Sequence, residues 1–266
     1  MGKDAIWVDD KHANSDLVRK GDTVFTVDVA SKYLPIVKGA RYVLHNINPG
    51  SKGIDRDFIN LQVFTKTSTG ENVGLPYVQW DVDARTLYQP WGVPTSPSAW
   101  MKPKQFDSHT EFWIGSIWNN ELNQGNEDFM ATYKKSLASY NLKFKQKGTT
   151  TIFRPNGLSE ESAAKLINKS PIGAAVVGNW QRENMYVPCR LFKNIAAGAI
   201  PSSNSDFTEL FDEGIGVFDN NPKTLIQQVM DISTSQKIIR VNEAQNKILP
   251  YTYDKGLERI FKFLDT

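Results

Sequence analysis

The chain has 266 residues, of which 40% are hydrophobic and 23% charged, with a formal net charge of +2. That length can bury a substantial core in one large domain or two small ones, and so slight a charge makes no electrostatic case for nucleic acid. The single cysteine, Cys189, excludes an internal disulfide and a cysteine-built zinc site, and suits a reducing compartment.

Residues 1–10 carry acidic side chains and no long apolar core, so they do not read as a signal peptide. No run approaches the roughly eighteen apolar residues of a membrane span. Strands rich in Val, Ile, Phe and Tyr are expected at 5–8, 23–27, 41–44 and 60–64. Residues 28–37 read as a short helix or turn, broken by Pro35 and closed by Gly39. Strands separated by such segments suggest a small parallel α/β sheet. At 89–104 the run QPWGVPTSPSAWMKPK packs four prolines and two tryptophans together, which marks a linker or an extended crossing between lobes.

A second α/β unit is expected from Glu111. It has a strand at 112–117, a helix at 126–140 with Phe129, Met130, Tyr133 and Leu137 at helical spacing, and a strand at 142–144. Pro155, Asn156 and Gly157 make a turn, and Ser159 caps a helix whose first turn holds Glu160 and Glu161. A strand follows at 173–177. The run GNWQRENMYVPCRLFKNIAAGAIPSSNSDFTELFDEGIGVF at 178–218 reads as loop, cationic helix, glycine turn, short strand, Ser/Asn loop, second helix start and final strand. Pro188 suits a first helical turn and Gly198 a helix end with positive φ. Helices then run from 222 to 263 with a break at Pro250, and Leu257, Ile260, Phe261 and Leu264 form an apolar stripe.

The aromatic-Val-Pro-x-Arg-Leu-Phe helix, the Ala-Gly-Ala-Ile-Pro turn, the Glu-Leu-Phe run and the Gly-x-Gly-Val-Phe strand together resemble the donor-binding half of GT-B glycosyltransferases. They are closest to exostosin-like and fucosyltransferase-like members, over roughly residues 110–235. The resemblance implies two Rossmann-like lobes with a cleft between them and a last helix returning to the first lobe. It implies domains at 1–104 (acceptor side), 105–240 (nucleotide-sugar side) and 241–266 (the returning helix). The implied activity moves a sugar from a UDP- or GDP-linked donor to a hydroxyl of a glycan or glycoconjugate, with no divalent metal and no other cofactor. With neither anchor nor cysteine framework, the chain reads as a soluble cytoplasmic relative from a bacterium or a large algal virus.

Candidate site residues fall into groups. After the strand at 112–117, small polar residues including Ser116 present backbone N–H groups where phosphate can be held. Arg182, Arg190, Lys193 and Asn194 offer fixed cations and an amide to a leaving diphosphate, and Tyr186 and Trp180 offer rings. Ser203 and Asn204 can bond the diphosphate or sugar, although Ser205 also suits a helix cap. By family position, Glu209 touches sugar or ribose hydroxyls. A general base, needed for inversion, is sought at strand ends of the first lobe: Asp28, His45, then Asp9 or Asp10. Two rival readings stand beside this one. Asp81 and Asp83 form the DxD pattern of metal-dependent GT-A enzymes, and a non-catalytic nucleotide- or glycan-binding module would keep the cleft without the chemistry.

Overall fold

The computed structural model describes residues 15–26, 37–46, 58–62, 78–90, 92–93, 100–103, 106, 108–148, 157–208, 210–212 and 214–265. The strand expected at 5–8, most of 28–37, and Asp9, Asp10, Asp28 and Glu209 lie outside them. The chain divides into two compact units, residues 1–89 with 258–266, and residues 90–257. Among the described residues no helix is long and apolar enough to cross a membrane.

The first unit is built on a five-stranded sheet of β1 (Thr23–Thr26), β2 (Arg41–Asn46), β3 (Phe58–Gln62), β4 (Gln79–Asp81) and β5 (Thr86–Tyr88). Its spatial order is β1-β2-β3-β5-β4, parallel throughout except where β4 pairs antiparallel with β5. Because side chains alternate along a strand, β2 feeds two cores. Tyr42 and Leu44 pack with Ala40, Val18, Val24 and Val37 on one face. On the other, Val43 joins Ile59, Leu87, Ile260 and Leu264. The last two come from the end of the final helix, Tyr253–Leu264, whose ring of Phe263 stacks on Trp80 with centroids 4.7 Å apart. Leu257, expected in the same apolar stripe, is instead 43% exposed. Asp81 Oδ1 accepts the Ala84 N–H at 2.9 Å, so the first acid of the DxD pattern caps the β4–β5 turn.

In the second unit β6 (Thr110–Ile114) pairs in parallel with β7 (Lys143–Lys147), and β8 (Ser202–Ser203) with β9 (Val217–Phe218). The helices are α1 (Glu127–Leu137), α2 (Glu160–Lys169), α3 (Asn179–Glu183), α4 (Cys189–Ala196), α5 (Pro222–Asp231) and α6 (Thr234–Ile248); the final helix is α7. Caps set several starts. Ser159 Oγ accepts the Ser162 N–H at 3.2 Å as expected, Asn221 Oδ1 accepts from Lys223 at 2.9 Å, and Ser233 Oγ accepts from Gln236 at 3.4 Å. Pro188 stands one residue outside its helix as the N-cap rather than in its first turn.

Two expectations change. Where a second helix start was expected, the described residues Thr208, Leu210 and Phe211 form a turn and a bend, and Gly214, at φ +87°, turns the chain toward β9. Residues 173–177, where a strand was expected, belong to no regular ladder: Gly173 has φ +67°, and side chains supply most of the segment's partners. Ile172, Ala174 and Val176 nevertheless alternate into the main core with Trp113, Met130, Tyr133, Ile200, Val217, Leu225 and Val241.

Candidate functional site

The segment 172–177 organises this region. Its backbone is tied to β8 through Ala175 N–H to Ser202 O at 2.8 Å. Every further tie comes from a side chain placed by another element. Asn194 of α4 donates Nδ2–H to Gly173 O at 2.7 Å, and Ser203 donates its hydroxyl to Ala175 O at 2.7 Å. Asn204 closes a two-bond ring with Val177, accepting its N–H at 2.8 Å and donating to its carbonyl at 2.9 Å. At the other end Glu111 of β6 accepts the N–H of Ile172 at 3.1 Å and of Gly173 at 2.9 Å. Buried backbone groups must find partners, and here five distant side chains provide them.

Arg190 is the fifth. Its Nε donates to Ile114 O at 3.1 Å and its Nη1 to Val176 O at 3.2 Å, while the guanidinium lies 4.1 Å over the Trp113 ring. It thereby ties the end of β6 to the segment. Gly115 makes room for it: at φ +146° an added Cβ would sit 2.1 Å from Nη2. Burial holds this guanidinium below its ordinary pKa. Ser116 follows directly and is exposed, its carbonyl receiving Asn126 Nδ2–H at 3.4 Å. Lys193 points elsewhere and pairs with Glu160 at 2.8 Å. Burial works to lower its pKa, but the hydrogen bond to that carboxylate leaves it raised.

Beyond the C-terminal ends of β8 and β9 lies a cleft of about 810 Å³. Parallel strands ending together leave such a crevice, where α/β proteins commonly bind ligands. Arg182 enters from α3 and Arg240 from α6; Asn204, Ser205 and Thr208 supply polar groups, and Phe218 a ring. Asp206, Asp219 and Asp231 make the lining mixed in charge rather than simply cationic. Two of these acids serve local turns, Asp206 Oδ1 accepting Thr208 N–H at 2.9 Å and Asp219 Oδ1 accepting Asn221 N–H at 2.7 Å. The Phe218 ring is fixed by Phe207 and Phe211, with centroids 5.8 and 6.1 Å away. Two guanidinium groups, hydroxyls, an amide and an aromatic face suit a nucleotide with a diphosphate.

Of the residues singled out in the sequence, Arg182, Asn204 and Ser205 line this cleft. Arg190, Asn194 and Ser203 converge instead on the backbone of the segment, and Tyr186, Lys193 and Ser116 are not among the lining residues. His45 lies in β2 of the first unit. Sequence reasoning missed Asp219, Asp231 and Arg240. Asp219 carries a usable signal, since it directly follows the strand at 217–218. Arg240 carries none, being one of several charges on α6 with its neighbour Val241 buried. Glu111 was missed because a lone acid within a strand pattern reads as an exposed position.

No described protein family matches the sequence, and no curated protein is detectably similar to it. Solved structures are similar. A UDP-forming α,α-trehalose-phosphate synthase from Burkholderia xenovorans superposes with a TM-score of 0.57 at 9% identity, over 97% of this chain and 76% of that one. The apo structure of OtsA gives 0.55 at 11% identity, over 94% and 74%. The E. coli trehalose-6-phosphate structure bound with UDP-2-fluoro glucose gives 0.55 at 12% identity, again over 94% and 74%. At these identities the likeness shows the fold.

Proposed function

We propose that this chain, whose α/β fold is that of GT-B glycosyltransferases, moves a sugar from a nucleotide-sugar donor to a hydroxyl of a glycan or glycoconjugate acceptor without a divalent metal. The observation that carries the reading is the cleft at the ends of β8 and β9, whose lining includes Arg182, Arg240, Phe218 and Asn204. As the bond from the anomeric carbon to the diphosphate oxygen breaks, negative charge gathers on the leaving group. Fixed guanidinium donors stabilise that charge without reorganising, which is the work a metal does elsewhere. UDP is favoured over GDP because similar solved structures are a UDP-forming synthase and an enzyme bound with UDP-2-fluoro glucose.

The donor contacts we propose are Arg182 and Asn204, with Arg190, Asn194 and Ser203 fixing the segment 172–177 to which Asn204 is bonded. Thermal shift with UDP-, GDP-, CMP- and dTDP-sugars, each with and without EDTA, tests the reading. A shift with a UDP-sugar that survives EDTA is expected. Arg182→Ala should weaken binding roughly 10- to 150-fold, the range for losing a charged hydrogen-bond partner. No shift with any donor would sink the proposal, and a shift that requires Mn²⁺ would replace it with a metal-dependent one through Asp81 and Asp83.

An inverting transfer also needs a base for the acceptor hydroxyl, for which His45, Asp28 and Asp9 are the candidates. Replacing the true base by Ala should lower kcat by about 10²–10⁴ with donor KM unchanged. A retaining route needs no such base, so unchanged kcat in all three variants, with a retained anomeric configuration in the product, would remove this step.

A further inference from the structure

The buried acid of β6 has no part in the chemistry above. Glu111 is 2% exposed and points its carboxylate at the start of the segment 172–177. Oε2 accepts the Ile172 N–H, and Oε1 accepts both the Gly173 N–H and the Tyr133 hydroxyl, the last at 3.2 Å. Among the described residues the titratable groups facing it are Tyr133 of α1 and Lys237 of α6. Lys237 is itself 4% exposed, with its Nζ 3.4 Å from Pro171 O and 5.3 Å from the Phe106 ring centroid. The far end of the same segment is Val177, whose N–H and carbonyl are both held by Asn204, and Asn204 lines the cleft.

We propose that Glu111 is a positioning residue for the donor cleft: its charge sets how firmly the segment 172–177 is held, and through Val177 how firmly Asn204 is placed. This rests on the reading of the cleft as the nucleotide-sugar site. As a carboxylate, Glu111 is acceptor-only and all its bonds to Ile172, Gly173 and Tyr133 are charge-assisted. Protonated, it loses that charge and one oxygen becomes a donor facing other donors. The segment then loosens at its first two residues. Burial lifts the Glu111 pKa to about 7, against the hydrogen bonds that pull it down, so the two states exchange around neutral pH. Burial also raises Tyr133, with Glu111 second, and it lowers Lys237 against the opposing pull of Glu111.

The test is calorimetric titration of the full chain with UDP-glucose, whose diphosphate diester does not titrate near neutrality, between about pH 8 and about pH 6. Wild-type affinity should fall at least about fivefold, the low end of coupling between two sites. Glu111→Gln, neutral at every pH, should bind as weakly as the wild type at the acidic end and show no pH profile. Tyr133→Phe removes a hydrogen bond to the charged form and should move the wild-type midpoint to higher pH. Equal pH profiles in wild type and Glu111→Gln overturn the proposal; if Glu111→Gln does not fold, an unmoved midpoint in Tyr133→Phe overturns it.

If UDP-glucose binds neither protein, the functional reading fails, and Glu111 is judged on amide exchange at Val177 without ligand. Protection that falls on acidification in the wild type but not in Glu111→Gln upholds its control of the segment. Identical protection profiles remove that control.

Discussion

Asn194 shows how a residue that looks like a ligand contact can be structural. Its amide is 4% exposed and serves the carbonyl of Gly173, a group with no water to turn to. Asn194→Ala leaves that carbonyl unpaired and should destabilise the fold by about 1–3 kcal/mol, read as a lower urea midpoint at unchanged slope. Arg190 belongs to the same class. Its Nε and Nη1 are spent on carbonyls of Ile114 and Val176, and its charge rests on the Trp113 ring. The family resemblance read at 186–218 therefore falls largely on residues that hold the segment 172–177 in place. A fold can share such residues when its ligands differ, which is why they point to architecture more firmly than to substrate.

At the scale of elements, what could be read was what repeats or caps. The helices around Met130, Ser159 and Ile260 were legible from apolar spacing and a serine cap, and the parallel strands of the first unit from Val- and Ile-rich runs. Residues 173–177 read as a strand, not as an irregular segment whose partners are Glu111, Asn194, Ser203 and Asn204. Those partners stand up to 62 positions away, and local periodicity carries no trace of them. At Leu210 and Phe211, where a helix start was expected, the described chain turns for the opposite reason. Its local composition favours a helix, but the turn at Gly214 and the packing of Phe207 and Phe211 against Phe218 decide the path. Part of the cleft was legible, through Arg182, Asn204 and Ser205. Asp219, Asp231 and Arg240 were not, because they come from the end of β9, α5 and α6 and meet only in the folded chain.

For the whole molecule, the buried carboxyl couples folding to pH. The Glu111 pKa is raised from 4.5 to about 7, so the folded state binds more protons than the unfolded chain between those values. Its contribution is fully present below about pH 4.5 and is lost as pH rises through about 7. The loss amounts to roughly 3 kcal/mol from this one group. Urea unfolding at about pH 5 and about pH 8 should show this loss in the wild type and not in Glu111→Gln. Global stability and local order at Val177 thus move in opposite directions with pH, which separates the two effects experimentally.

The division of the chain has a temporal side. Residues 90–257 form one uninterrupted stretch, whereas the other unit is assembled from 1–89 and 258–266. A ribosome delivers a chain at about 5–20 residues per second, so the contiguous unit is whole while its companion still lacks a wall. Ile260 and Leu264, which pack against Val43, Ile59 and Leu87, are synthesised only after the whole of residues 90–257. The unit begun first is the unit finished last, and until Leu264 emerges its sheet waits with one apolar face uncovered.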